Sequence, residues 1–144
     1  MTERRAGALH RGGNYLAIGP SSLIWDGAAL TFRIRERSAP VPSAVRGTVR
    51  VFPEAFTGWS VALDPAGHHV WTPMAPRAAV EVAFDAPSLA WRGTGYLDSN
   101  TGDAPLERDF TEWDWSRAAL PSGETAILFE AVCREAPAND QIAR

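Results

Sequence analysis

The fold class that this sequence predicts is all-β and antiparallel, arranged as a sheet, sandwich or barrel. Two patterns predict it. Apolar and charged residues alternate with period two in several short stretches, and clusters of Gly, Pro, Asp and Ser return between those stretches. No segment shows a convincing helical period.

In chain order, LTFRIRE (residues 30–36) places Leu30, Phe32 and Ile34 on one face and Arg33 and Arg35 on the other. GTVRVFPE repeats the pattern with Val49 and Val51 against Arg50. AVEVAF does so again, with Val80, Val82 and Phe84 alternating with Glu81 and Ala83. SLAWRGTGYLDSN, RDFTEWDWSR and ETAILFEAV supply three more expected strands. Between them lie the breaks WDGAA, SAPVPS, LDPAGHH, DAPS, NTGDAP and LPSGE, rich in the residues that turns require. The segments GPSSLIWDGAAL and DAPSLAWRGTGYL echo one another weakly, which a recurring edge-and-turn solution suffices to explain.

Composition narrows the function classes. The chain has 144 residues, one domain's worth, with 45% hydrophobic and 22% charged residues, the balance of a globular protein. A net charge of -3 gives a polyanion no reason to bind, so nucleic acid is not an expected partner. The lone cysteine, Cys133, can form no internal disulfide. No apolar run approaches the ~20 residues of a spanning helix, and MTERRAGALHRGG has no apolar core like that of a secretory signal. The expected location is therefore cytoplasmic.

No Gly-rich phosphate loop, GxSxG or HExxH motif occurs, and His10, His68 and His69 have no metal-like spacing with carboxylates or Cys133. No metal or cofactor is expected. Polar residues set among aromatics remain. GHHVWTP carries His69 and Trp71 at i and i+2, GYLDSN carries Tyr96 and Asp98 in the same relation, and FTEWDWSR puts Trp113, Trp115 and Arg117 on one face. Taken singly, each has an ordinary structural explanation: a Trp pair at period two packs a sheet, Tyr beside Asp satisfies a hydrogen bond, and His69 caps a turn.

Two longer blocks carry a resemblance. RGTVRVFPEAFTGWSVALDPAGHHVWTPMAPRAAVEV, followed by GYLDSNTGDAPLERDFTEWDWSRA, is similar to the carotenoid 1,2-hydratases, also known as hydroxyneurosporene synthases. The resemblance runs through nearly the whole chain, yet it covers only the middle of the family's length. It implies a lipocalin-like β domain over residues 1–135, incomplete by itself and part of a longer two-barrel architecture; the terminal EAPANDQIAR is read separately as frayed, giving a disordered tail over 136–144. It also implies cofactor-independent addition of water across the terminal C1=C2 bond of acyclic carotenoids such as neurosporene and lycopene. The partners implied are that substrate and water, with peripheral contact at the inner membrane. The family's important H-x-W and Y-x-D pairs fall on His69 with Trp71 and on Tyr96 with Asp98.

These residue types suit such a reaction. Protonating an alkene needs an acid that holds its proton near neutrality, which an apolar surround favours by penalising the anion; Asp98 is the candidate. The resulting tertiary cation needs electron-rich faces, which Trp71 and Tyr96 would supply at ~2 kcal/mol each when desolvated. His69, of a residue type that titrates near ~6.5, is the expected base for the attacking water. Trp91, Trp113 and Trp115 are the expected substrate-binding surfaces. Three other readings use the same residues: a non-enzymatic binder of an apolar isoprenoid, an isoprenoid cyclase or isomerase, and an inactive hydratase fragment.

Overall fold

A computed structural model describes residues 4–134, so the expected tail at 136–144 lies outside the described residues. Ten strands account for most of the chain: β1 (Leu9–Arg11), β2 (Tyr15–Ile18), β3 (Ser21–Trp25), β4 (Leu30–Arg37), β5 (Ala44–Pro53), β6 (Val61–Ala62), β7 (His69–Ala86), β8 (Ser88–Gly102), β9 (Phe110–Ala119) and β10 (Thr125–Cys133). All the registered pairings are antiparallel. The hydrogen-bonded order is β1-β2-β3-β4-β5-β7-β6 with β8 also on β7, while β9 and β10 form a separate two-stranded ribbon. The all-β expectation holds. The expected incompleteness holds as well: among the described residues the ladder from β1 does not return upon itself to close a barrel.

The chain forms two compact units, residues 4–56 with 77–97 and residues 57–76 with 98–134. In the first, the alternation read from the sequence becomes three cross-strand rows. Leu30 pairs with Val51 and Val51 with Val80; Phe32 pairs with Val49 and Val49 with Val82; Ile34 pairs with Gly47 and Gly47 with Phe84. Arg33, Arg35 and Arg37 take the exposed face of β4. On the charged face of the neighbouring pair, Arg50 and Arg92 both reach Glu81. Gly47 is required in its row because a Cβ there would lie 2.5 Å from the Phe84 ring and 2.6 Å from the Ala83 carbonyl oxygen. Trp25 packs edge-on against Phe56, with ring centroids 5.8 Å apart.

Strands β1, β2, β3 and β6 lie outside the stretches expected as strands, and two further features depart from the sequence reading. AVEVAF is only the end of an 18-residue strand that starts at His69 and runs through Pro73 and Pro76. Proline has no N–H to give a ladder. Both prolines sit in the interval between β7's pairing with β6, at Val70 and Trp71, and its pairing with β5, from Ala78 onward. There is also one short α-helix, α1 (Leu106–Asp109), where a break and the start of a strand were expected. Pro105 precedes it, with the extended backbone and fixed φ that suit entry into a helical turn.

Candidate active site

The second unit builds its site on the first turns of β7. Before the strand, LDPAGHH folds around Asp64. One oxygen of that carboxylate accepts the backbone N–H groups of Ala66 at 3.0 Å and His68 at 3.1 Å, and the other accepts that of His69 at 2.7 Å. Gly67, with φ +73°, takes the left-handed position the turn requires. Burial pushes the Asp64 carboxyl up, but the three N–H donors outweigh it and hold the group below its ordinary value. Asp64, rather than His69, therefore caps this turn, and it delivers His69 to the strand in a set position.

From there the period of two takes over. His69, Trp71, Pro73 and Ala75 are all buried and share one face of β7. His69 keeps only 3% of its surface exposed. Its Nε2 lies 2.7 Å from an Asp109 oxygen, at the end of α1, and its ring packs on Phe110 at 5.2 Å between centroids. Phe110 is the largest fully buried side chain among the described residues. Arg108 donates to both Asp109 oxygens, through Nε at 3.0 Å and Nη2 at 2.9 Å. The Arg108 hydrogen bonds, and then that of His69, hold the Asp109 carboxyl at about 2, so it is an anion across the neutral range.

The other imidazole nitrogen, Nδ1, faces Gly102 near the end of β8, where a Cβ would lie only 2.6 Å away. The Asp103 N–H bonds the His68 carbonyl at 3.2 Å and ties that strand end to the Asp64 turn. A cleft of about 250 Å³ opens here, lined by His69, Asn100, Thr101, Gly102, Leu106 and neighbouring residues.

Trp71 makes the second connection. Its indole N–H donates to an Asp98 carboxyl oxygen, Oδ2, at 3.0 Å across 27 residues of sequence. Indole nitrogen can only donate, so Oδ2 is the accepting oxygen in either protonation state of Asp98. The Trp71 ring is 5% exposed, with Trp59 edge-on at 5.8 Å and Phe129 tilted at 5.3 Å between centroids. Phe129 sits opposite Trp115 in the β9–β10 ribbon, while Trp113 sits opposite Ala131. Asp98 thus shares its hydrogen bond with the central ring of an aromatic group. Trp113 and Trp115 remain 40% and 43% exposed. Tyr96, half-buried, and Trp91, 49% exposed, belong to the first unit.

The second unit therefore joins three of the residues singled out from the sequence, Trp71 to Asp98 directly and His69 beside Trp71 on one strand face. Sequence reading missed Asp109, Gly102 and the capping role of Asp64. A D-P-x-G turn signal was present for Asp64. Asp109 had none, because its partner His69 lies 40 positions earlier.

The chain is thus an antiparallel β protein in which an imidazole–carboxylate pair and an indole-bound carboxyl lie among aromatic rings. The chain belongs to the carotenoid hydratase CrtC family, whose sequence model matches residues 1–143. It is 52% identical over 134 residues to the acyclic carotenoid 1,2-hydratase of Thiocapsa roseopersicina, covering 93% of this chain and 33% of that protein. To the enzyme of the same name from Rubrivivax gelatinosus it is 44% identical over 130 residues, covering 90% and 32%. To that from Rhodobacter capsulatus it is 41% identical over 132 residues, covering 91% and 46%. The chain thus spans about a third of the first two relatives and just under half of the third. No solved structure matches it. No described helix is long and apolar enough to cross a membrane.

Proposed function

We propose that this chain carries the acid–base residues of a carotenoid 1,2-hydratase, acting without a cofactor on the terminal C1=C2 bond of an acyclic carotenoid such as neurosporene or lycopene. The observation that carries the reading is the Trp71 indole on Asp98 Oδ2 within the group formed by Trp59, Trp71 and Phe129. The indole N–H on Oδ2 orients the carboxyl of a protonated Asp98 as the acid. Transfer of that proton to C2 leaves a tertiary cation at C1, which aromatic faces stabilise. Water adds to C1 and gives up a proton to His69. Return of that proton to Asp98 through solvent closes the cycle, and the net change is one water added across the double bond. Trp71 gains a role in this scheme beyond the cation-facing ring, because its N–H orients the acid. Tyr96, Trp91, Trp113 and Trp115 keep the cation-stabilising and substrate-binding roles proposed from the sequence. The substrate is membrane-borne, and peripheral contact on the cytoplasmic side is the access route consistent with this reading.

The test is pigment extraction from a lycopene- or neurosporene-accumulating host that expresses the chain. A 1-hydroxy carotenoid is the expected product, and Asp98→Asn is expected to abolish it while leaving the circular dichroism spectrum unchanged. Wild-type product levels from Asp98→Asn would remove the acid role. A cyclised product, or bound and unchanged pigment, would instead identify a cyclase or a carrier.

A further inference from the structure

Hydrogen-bond chemistry at His69 has a direction. The Asp109 carboxylate is held as an anion by Arg108, and an ionised carboxylate can only accept. The hydrogen in the 2.7 Å contact must therefore sit on His69 Nε2. A neutral imidazole carries one N–H, so its other nitrogen holds the lone pair. That nitrogen is Nδ1, which lies against Gly102, and His69, Gly102, Asn100 and Thr101 all line the cleft of about 250 Å³. A cleft of this size has room for water, and Asn100 and Thr101 bring polar side chains or backbone groups to its wall.

We propose that Asp109, braced by Arg108, is a positioning residue that fixes His69 as the Nε2–H tautomer, so that Nδ1, bared by the absence of a side chain at Gly102, is the atom that takes the proton from water. The catalytic meaning of this proposal rests on the hydratase reading; the tautomer assignment does not. Three elements contribute. The Asp64 turn sets the His69 backbone, the Phe110 ring supports one side of the imidazole, and the Asp109 carboxylate selects which nitrogen carries hydrogen. Gly102→Ala would put a methyl group 2.6 Å from Nδ1 and 3.1 Å from the His68 carbonyl oxygen, so the imidazole would have to shift away from that side.

The whole chain, labelled with ¹⁵N-histidine, gives the first readout. Long-range ¹H–¹⁵N correlation spectra above the histidine titration, with signals assigned through His10→Gln and His68→Gln, are expected to show a protonated Nε2 and a bare Nδ1 for His69. In Asp109→Asn, whose amide can either donate or accept, the preference is expected to give way to a mixture of tautomers. A protonated Nδ1 in the wild-type chain overturns the proposal, whatever the variants do. The second readout is hydroxy-carotenoid formation in the same host, where Asp109→Asn and Gly102→Ala are each expected to fall by about 10²-fold. Full product from a folded Asp109→Asn overturns the positioning role and leaves the hydratase reading intact. The expected His69 tautomer in a chain that makes no product overturns the hydratase reading and leaves the positioning role intact.

Discussion

Trp71 offers Asp98 an edge, and its ring belongs to an aromatic group; the two contributions can be separated. Trp71→Phe removes the indole N–H but keeps an aromatic ring, whereas Trp71→Ala removes both. A hydrogen bond to a group of this kind is worth about 1.5–3 kcal/mol, so Trp71→Phe is expected to lower hydroxy-carotenoid formation roughly ten- to hundredfold. Trp71→Ala is expected to cost more, and more than Trp59→Ala, since Trp59 contacts the group but is half-exposed. Pigment yield normalised to folded protein checks the order. The pairing of His69 with Trp71 was legible as an i, i+2 relation on a strand. The indole–carboxylate bond was not, because it spans 27 positions and depends on how β7 and β8 lie.

Strands were legible wherever one face was charged. In β4 the expected rows of Leu30, Phe32 and Ile34 against Arg33 and Arg35 are the rows that form, and the ladder to β5 and β7 extends each of them. Gly47 is the strictest position in these rows. Gly47→Ala is expected to destabilise the chain by about 1–3 kcal/mol through overpacking against Phe84 and the Ala83 carbonyl. Gly13→Ala, where nothing lies within 4 Å, should stay within about 0.5 kcal/mol of wild type. Urea unfolding followed by tryptophan fluorescence compares the two. The continuity of β7 through Pro73 and Pro76 was not legible, since local preference marks proline as a break and only the pairing pattern shows where N–H groups are dispensable. Helix α1 escaped for a related reason: four residues cannot display a helical period.

Across the described residues, the carboxyls of Asp26, Glu36, Asp64 and Asp109 are all held below their ordinary values. The main lowering partners are the Ala29 and Ala28 N–H groups for Asp26, Ser21 for Glu36, the Asp64 turn's own N–H groups, and Arg108 for Asp109. Each group binds its proton less readily folded than unfolded, so the unfolded chain takes up more protons as pH falls. Their contribution to stability is complete above the ordinary values of 3.8 and 4.5, and it is lost as pH drops through the folded values, down to about 2 for Asp109. The urea midpoint is therefore expected to hold between pH 7 and 5 and to fall steadily from pH 4.5 to 2.5. Asp109→Asn should show a shallower fall than wild type over that acid range.

The sequence by itself determined the all-β class, the strand faces and the shared face of His69 and Trp71, because these follow from a period of two and from turn chemistry within a few residues. Its two family-like blocks also pointed to the carotenoid hydratases, to which the chain belongs. Only the tertiary structure decided that Trp71 gives its N–H to Asp98, and that Asp109 and Gly102 meet the two nitrogens of His69. Those outcomes depend on contacts between residues far apart in the chain. A hydrogen bond needs its two atoms within about 3 Å and in line, a condition set by how strands pair and not by local pattern.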